Sequence, residues 1–499
     1  MNHSRLMTVV GFALTGVLFA GCAPLLGDAQ AREADRSVPE DFGQSLAPGG
    51  PQSSADLQLS DFFRDPNLLG LVDQALTNNQ ELLIVDQEVS IAGNEVMARY
   101  GEFLPQLGVG AEAGIEKVGR YTSQGASDEA DEIKDGRNVP ENLQNYGVGF
   151  FASWEVDIWK KLRNATKAAV FRRLATVEGK RFLVTRLVAE IARSYYELMA
   201  LDNQLEVLQR NIQIQNDALQ VVRVNKEAGR VTELAVQRFE AEVLNTRSRV
   251  YDIQQEIVQV ENRINLLVGR FPQPVERSSS GFLEFEPVAM NTGVPMQLLE
   301  NRPDVKQAEM GIEASKLDVQ VAKARFYPAL NIDAGVGIEA FELSSLGVMP
   351  ESLFYNAFAG ITAPLLNRKV LTAGYFAANS RQMQAVYRFE QTLRKAFTET
   401  ANQIARLRNL GQKYELKSQQ AQILTNAIEV SNQLFSSARA DYMEVLLTRR
   451  DALDAQMEVI ETRKLQLGAM VDMYQALGGG WKEAVPPDDS ADTVDAGGE

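Results

Sequence analysis

Residues 103–116 read FLPQLGVGAEAGIE, and a similar segment, FYPALNIDAGVGIE, follows 223 positions later at residues 326–339. In both copies, apolar residues alternate with glycine, polar or acidic residues. Side chains that alternate with a period of two lie on opposite faces of a β-strand. Each copy is therefore predicted to be a strand with one apolar face and one face turned to water.

A second alternating run follows each copy, so four strands are predicted, at about residues 105–117, 146–158, 328–340 and 352–365. Runs of about ten residues that are apolar on one side are typical of transmembrane β-strands. An amphipathic hairpin packed on a soluble core is the alternative for any one of them, but four concordant strands favour the membrane. We expect Ala334 to face lipid and Gly335 to face water.

The segments that follow the strands are predicted to be long helices. No proline occurs between residues 160 and 269, and apolar residues recur there at heptad spacing. They include Leu198, Leu205, Ile212 and Leu219. A heptad pattern predicts helices that pack along coiled-coil seams. A helix over residues 160–226 would be on the order of 100 Å long, given the rise of about 1.5 Å per residue.

The helical part also repeats, but with an offset of 209, since Glu190 and Leu198 return as Glu399 and Leu407. The difference between the two offsets, 223 − 209 = 14, is the number of extra residues in the first hairpin loop. This loop, residues 122–145, is rich in Asp, Glu, Gly, Ser and Asn, and we predict that it is solvated. The chain is therefore an internal two-fold repeat.

The amino terminus resembles the export signal of a bacterial lipoprotein. The apolar run at residues 6–20 is too short to span a bilayer comfortably, and Ala20 and Gly21 precede Cys22, the only cysteine. The resemblance implies a signal peptide over residues 1–21, acylation of Cys22, and a linker over residues 22–61. A plain secretory signal with an incidental cysteine is the alternative.

Composition argues against catalysis. The only histidine is His3 and the only cysteine is Cys22, so the mature chain offers no Ser–His pair, no His–Cys metal site and no disulfide. We predict no enzyme activity, no metal and no cofactor. Glu155 and Asp157 are predicted to line a pore. The net charge of −16 disfavours binding to nucleic acid and favours cations in a pore.

Several motifs resemble those of TolC-like outer-membrane efflux proteins. They are LLENRPDV at residues 298–305, ASWEVDIW at 152–159 and ALGGGW at 476–481. The similarity covers about residues 62–481. The Ala-Gly-Cys segment at residues 20–22, together with the GGGW ending, resembles the lipoprotein (NodT/OprM-like) branch that serves resistance-nodulation-division systems. It implies a first repeat over 62–270, a linker over 271–295 and a second repeat over 296–481. The acidic tail, residues 482–499, is predicted to be disordered.

The resemblance also implies the fold class, which is mainly α with membrane β. Each protomer of a homotrimer would contribute four strands to a twelve-stranded outer-membrane barrel. A long α-helical coiled-coil barrel and a small mixed equatorial domain would complete it. The residues alone reach part of this result, because four strands cannot close a barrel and open edges are not tolerated in lipid. Eight, twelve or sixteen strands remain open on that argument.

The function implied by the resemblance is a passive exit duct for drugs or other small molecules in the outer membrane. An inner-membrane resistance-nodulation-division pump would drive export through a periplasmic adaptor protein. The same architecture could instead export a polypeptide in a type I secretion system. A third alternative is a structural lipoprotein that spans the periplasm, but such a protein needs no strands with a water-facing side.

Two helical turns are predicted at the periplasmic end, at residues 229–232 and 438–442. Gly229 can adopt the left-handed conformation that a tight helix exit needs, and Thr232 can cap the returning helix. In the family, such tips meet the adaptor. The resemblance therefore assigns adaptor docking to Gly229, Thr232 and Ala438.

The resemblance places the pore gate just past the second turn. By position, Met443 would form an apolar constriction and Arg450 a basic partner, while Leu447 stands where close relatives are expected to have an aspartate. Asp441 or Glu444 would then supply the acidic group. The sequence thus predicts a closed tip held by Met443 packing and by pairing of Asp441 or Glu444 with Arg449 or Arg450.

Overall fold

The computed structural model describes residues 32–42, 53–134, 136–285, 292–364, 366, 368–437 and 439–482. The chain divides into two compact units. The sheet unit contains Ile91–Arg173 and Met310–Val386, together with the described residues before Ala34. The hairpin unit contains Ala34–Ser90, Leu174–Glu309 and the described chain from Tyr387 onward. Cys22, Ala438 and residues 483–499 of the predicted tail lie outside the described residues.

Six strands and ten α-helices run through the described parts of the chain. The strands are β1 (Gln106–Glu116), β2 (Glu132–Lys134), β3 (Arg137–Asn138), β4 (Leu143–Val156), β5 (Ala329–Ala340) and β6 (Leu353–Thr362). The helices are α1 (Leu59–Phe62), α2 (Pro66–Asn78), α3 (Gln80–Phe103), α4 (Ser123–Ala130), α5 (Lys161–Glu227), α6 (Glu233–Leu267), α7 (Gln297–Asn301), α8 (Pro303–Ala324), α9 (Lys369–Ser436) and α10 (Tyr442–Ala476). None of the described helices combines the length and the apolar composition needed to cross a bilayer.

One antiparallel sheet contains the four predicted strands, in the order β1-β4-β5-β6. Their predicted positions are confirmed to within three residues at every end. The register places Val109 beside Phe150, Phe150 beside Val336, and Val336 beside Tyr355. Apolar side chains therefore share one face across all four strands, as the alternation predicted.

The first hairpin loop is more regular than the sequence suggested, because it contains α4 and the two-stranded ribbon of β2 and β3. Thr122 caps α4, its hydroxyl accepting a hydrogen bond from the Gly125 amide at 3.1 Å. The Arg120 guanidinium donates to the Gly125 carbonyl at 3.4 Å. Local capping contacts of this kind order a short polar helix without any apolar periodicity, which is why the pattern did not reveal it.

The repeat is visible in the helix bounds of the hairpin unit. Helix α6 begins at Glu233 and α10 at Tyr442, and the offset is 442 − 233 = 209. Helix α5 ends at Glu227 and α9 at Ser436, again 209 residues apart. The predicted long helices are confirmed. Heptad residues of α5 such as Leu198 enter the main apolar core of this unit, together with residues of α6 and α10.

In each repeat, a side chain at the corresponding position donates a hydrogen bond to the carboxyl end of the returning helix. Asn79 Nδ2 donates to the Leu267 carbonyl at 2.8 Å, and Arg302 Nη1 donates to the Ala476 carbonyl at 3.0 Å. The two side chains are 302 − 79 = 223 residues apart, the offset of the strand repeat. The last carbonyls of a helix have no partner within the helix. Arg302, in the RPDV segment, thus closes the second hairpin as Asn79 closes the first.

Glycine is required where this closure is tightest. Gly478 follows α10 with φ 89°, a conformation that glycine adopts without steric cost. A Cβ at this position would lie 2.5 Å from the Asn301 carbonyl oxygen. Trp481 Nε1 donates to the same carbonyl at 3.2 Å. The ALGGGW segment therefore has a structural role, because it lets the end of α10 pack closely against Asn301.

Candidate functional site

No other described part of the sheet unit covers the apolar face of the sheet. Val109 is 75% exposed, and Leu107, Phe150 and Tyr355 on the same face are also exposed. These side chains form an apolar band that is continuous across the four strands. A band of this kind suits contact with lipid tails rather than with water. The opposite face carries polar groups such as Glu155 and Asp333.

Aromatic side chains mark the end of the sheet at which β1 begins. Trp154 Nε1 donates to the Phe103 carbonyl at 3.1 Å, and Trp159 Nε1 donates to the Pro328 carbonyl at 2.8 Å. Trp159 also stacks on Tyr327, with ring centroids 4.8 Å apart. Tryptophan and tyrosine at the ends of membrane strands are typical of the boundary between lipid and water.

Asp157 does not line a pore, and that prediction was wrong. Its side chain is buried, and its carboxylate accepts from the amides of Leu162 and Arg163, each at 3.0 Å. These amides belong to the first turn of α5, whose free N–H groups a carboxylate satisfies. The alternation in the sequence extended to Asp157, but β4 ends at Val156 and the chain then turns into α5. Glu155 pairs with Lys161 at 2.5 Å.

Three phenylalanines lie on the polar face of the sheet, and sequence reasoning missed two of them. Phe354 and Phe358 share the parity of Asn356, which is the pattern that could have revealed them. The rings of Phe151 and Phe354 lie 6.2 Å apart over neighbouring glycines. A Cβ at Gly335 would lie 3.2 Å from Phe151 Cδ1, so this glycine leaves room for the ring. The face is amphipathic rather than uniformly polar.

The first periplasmic turn has the predicted glycine geometry. Gly229 has φ 69°, its amide donates to the Lys226 carbonyl, and the Arg230 amide donates to the Asn225 carbonyl, both at 2.9 Å. This pattern is a Schellman motif. Thr232 stands at the N-cap of α6, but its side chain makes no capping hydrogen bond. Thr232 therefore does not make the predicted capping hydrogen bond.

The second turn repeats this geometry. The Arg439 amide donates to the Leu434 carbonyl at 2.8 Å, which is the bond of the first turn moved by 439 − 230 = 209 residues. Ala438 lies outside the described residues. Asp441 stands at the N-cap of α10, also without a side-chain capping bond.

The two tips are packed together at the start of α10. Tyr442 and Leu446 contact an apolar cluster that contains Leu219 of α5 and Phe239 of α6. Met443, the predicted constriction, accepts a hydrogen bond at its Sδ from Arg238 Nη1 at 3.3 Å. No sequence pattern pointed to Arg238, because it lies 205 residues away. Met443 therefore joins the second hairpin to the first.

The charged gate candidates are not paired with one another in the described chain. Asp441 and Glu444 are exposed and form no ion pair there. Arg450 lies 3.5 Å from Asp451. Arg449 donates to Asn432 Oδ1 at 3.1 Å, while its Nε and Nη1 are buried without a hydrogen-bond partner among the described residues. Burial lowers the pKa of Arg449.

The sequence is similar to those of known outer-membrane proteins. Residues 71–270 and 294–479 match the family described as outer membrane efflux protein. The chain is 26% identical over 470 residues to the probable outer membrane lipoprotein SilC of Salmonella typhimurium, covering 93% of this chain and 97% of that protein. It is 25% identical over 450 residues to the cation efflux system protein CusC of Escherichia coli, covering 89% and 94%.

The fold agrees with solved structures. The open state of the Neisseria gonorrhoeae MtrE outer membrane channel superimposes with a TM-score of 0.80 and 22% identity, over 91% of this chain and 98% of that chain. This agreement confirms the TolC-like architecture predicted from the motifs. The family match covers most of the sequence, and the chain belongs to the outer membrane efflux protein family.

Proposed function

We propose that this protein is the outer-membrane channel of a tripartite efflux pump and acts as a homotrimeric, passive exit duct. As a member of its family, the chain is an outer-membrane efflux protein. A periplasmic adaptor would join it to an inner-membrane resistance-nodulation-division pump, which supplies the energy. A duct of this kind needs no catalytic group and no cofactor. The name of the relative CusC, a cation efflux system protein, supports a small solute as cargo.

The open sheet is the observation that carries this proposal. Strands β1 and β6 each pair with one neighbour in the described chain, so each presents an edge of unpaired backbone groups. Lipid cannot satisfy those groups, and only a closed barrel is stable there. Further copies of the chain are the simplest source of the missing strands. Three copies of four strands give the twelve that the family resemblance implies.

Two exposed apolar stripes on the helices support the same conclusion. One lies on α6 and the other on α9, and the members of each recur every seven residues. The stripes are Leu244, Tyr251 and Val258 on α6, and Leu416, Ile423 and Val430 on α9. Heptad spacing is the pattern with which one helix packs on another. Because these side chains are exposed in a single chain, they are available to pack on neighbouring copies.

Replacing Ile423 with glutamate is expected to shift the purified protein from trimer to monomer in detergent, because it places a charge in the middle of an apolar seam. Ile423→Leu keeps the seam apolar and is expected to remain trimeric. Light scattering gives the mass of both variants. A glutamate variant that stays fully trimeric, with the mass of the wild type, would show that the α9 stripe is not an interface.

The gate is proposed to lie at the start of α10, around Met443 and Glu444, with Asp441, Arg449 and Arg450 as its charged members. Met443 is held by Arg238 of α6, so the second hairpin cannot swing away from the first without breaking this contact. The buried nitrogens of Arg449 lack partners in the described chain, and leaving such groups unsatisfied costs free energy. A rearrangement of the tip that gives Arg449 a carboxylate partner would therefore be favoured.

Replacing Met443 and Glu444 together with alanine is expected to raise single-channel conductance in planar bilayers, because it removes both the constriction and its contact with Arg238. The chain offers a matched control in Met457 and Glu458, the same two residue types two heptads further along α10. Their double alanine variant should conduct like the wild type. Equal conductance of the gate variant and the wild type would place the gate elsewhere.

Acylation of Cys22 remains part of the proposal, since this residue lies outside the described chain. The Ala-Gly-Cys order at residues 20–22 and the lipoprotein name of the relative SilC support it. Lipid chains on Cys22 would supplement a barrel that already holds the protein in the membrane. Incorporation of labelled palmitate into the wild type but not into Cys22→Ser is the measurement that checks this anchor.

A further inference from the structure

A cleft of about 380 Å³ opens on the polar face of the sheet, across β1, β4, β5 and β6. Its lining combines one aromatic ring, one carboxylate, two amides and one hydroxyl. The residues that supply them are Phe151, Asp333, Gln106, Asn356 and Ser153. A cleft of this size, apolar on one side and bearing a single charge, can hold a small organic molecule.

The acidic and aromatic groups of the cleft are both accessible. Phe151 is 46% exposed, so one side of its ring is open to a solute. Asp333 is exposed, and its carboxylate has no hydrogen bond or ion pair among the described residues. In the register, Asp333 lies beside Ser153 and Phe151 lies beside Gly335. Phe151 and Asp333 are thus diagonal neighbours on one face, a relation that places residues about 7–8 Å apart.

Gly108 keeps the cleft open. It lies beside Phe151 in the register and is part of the lining. A Cβ built on Gly108 would have no other atom within 4 Å, so the space above it is empty. Gly114, on the same face of the same strand, has equally open space above it but is not part of the lining. A side chain added at Gly108 would therefore fill the cleft, whereas one added at Gly114 would not.

We propose that this cleft is a transit site for amphiphilic organic cations, with an aromatic group of the solute on Phe151 and its ammonium near Asp333. Stacking of the solute ring on Phe151 and attraction of its ammonium to the Asp333 carboxylate would use both ends of the cleft. A bare metal ion would use Asp333 and leave the aromatic wall without a role. The inference deepens the proposed function, because it requires the polar face to line the duct.

Block of the channel current by two quaternary ammonium ions tests the site. Benzyltrimethylammonium carries an aromatic ring, and tetramethylammonium carries the same charge without one. In the wild-type channel in planar bilayers, the benzyl compound is expected to block at the lower concentration. Gly108→Leu should raise its half-blocking concentration about fivefold, a change of the size that loss of one cation–π or stacking contact brings. Gly114→Leu should leave that concentration unchanged.

Two further variants separate the contributions. Phe151→Leu should remove the difference between the two probes, and Asp333→Asn should weaken block by both. They also keep the test decisive if Gly108→Leu does not fold. Equal block of the wild type by the two probes would overturn the inference, and so would identical block of Gly108→Leu and Gly114→Leu. In either case, normal basal conductance would leave the proposed channel function standing, whereas absence of any conductance in both the wild type and the Met443 and Glu444 double alanine variant would refute both.

Discussion

Arg302→Ala is expected to lower the free energy of unfolding by about 3–5 kcal/mol, the range found when one partner of a buried ion pair is removed. Arg302 is 4% exposed. Its guanidinium lies 2.7 Å from Asp304 and 3.0 Å from Glu399, and it donates to the Ala476 carbonyl at 3.0 Å. The variant would remove the guanidinium from the Asp304 carboxylate, which retains the Val305 amide, and from the Ala476 carbonyl, which retains the Thr400 hydroxyl at 3.4 Å. Most of the cost should come from these two groups, because Glu399 is partly exposed and water can solvate it.

Arg325→Ala is the matched control for this prediction. Arg325 lies just beyond α8, is exposed, and has no ion pair among the described residues. Its loss should change the free energy of unfolding by no more than about 0.5 kcal/mol. Unfolding in denaturant, followed by circular dichroism in detergent, gives both values. If the two alanine variants were equally stable, Arg302 would not be the fastening point of α10.

Val109→Arg is expected to cost about 2–4 kcal/mol of stability in the membrane, the range for arginine on the lipid face of a barrel near its midplane. Val109 occupies the apolar row that it shares with Phe150, Val336 and Tyr355. An arginine there would have to leave its charge among lipid tails or distort the barrel to reach water. The expected result is a marked fall in the amount of folded protein recovered from outer membranes.

Gly108→Arg is the control on the opposite face. Gly335, the position suggested by the sequence, is less suitable, because a Cβ there would lie 3.0 Å from Asn356 Oδ1. Gly108 has open space instead, so its arginine variant should reach the membrane in normal amounts with a narrowed lumen. Equal recovery of Val109→Arg and Gly108→Arg would contradict the assignment of the two faces.

Periodicity in the sequence was enough to predict the four strands of the large sheet, the two faces of that sheet and the long helices. The period of two in residues 103–116 gave β1 and showed that Val109 and Gly108 point in opposite directions, and the register confirmed both. The heptads gave the long helices, and the offsets of 223 and 209 gave the two-fold repeat. These features could be read from the chain because they depend on residues only a few positions apart.

The contacts between distant residues became visible only in the folded chain. Arg302 finds the Ala476 carbonyl across 174 residues, and Met443 finds Arg238 across 205. Likewise, Asp157 is a helix cap rather than a pore residue, because the chain turns into α5 beside it. A repeating pattern gives the side of an element on which a residue lies, but not what packs against that side. The partner is fixed by packing of elements far apart in the sequence, and such packing leaves no local period to read.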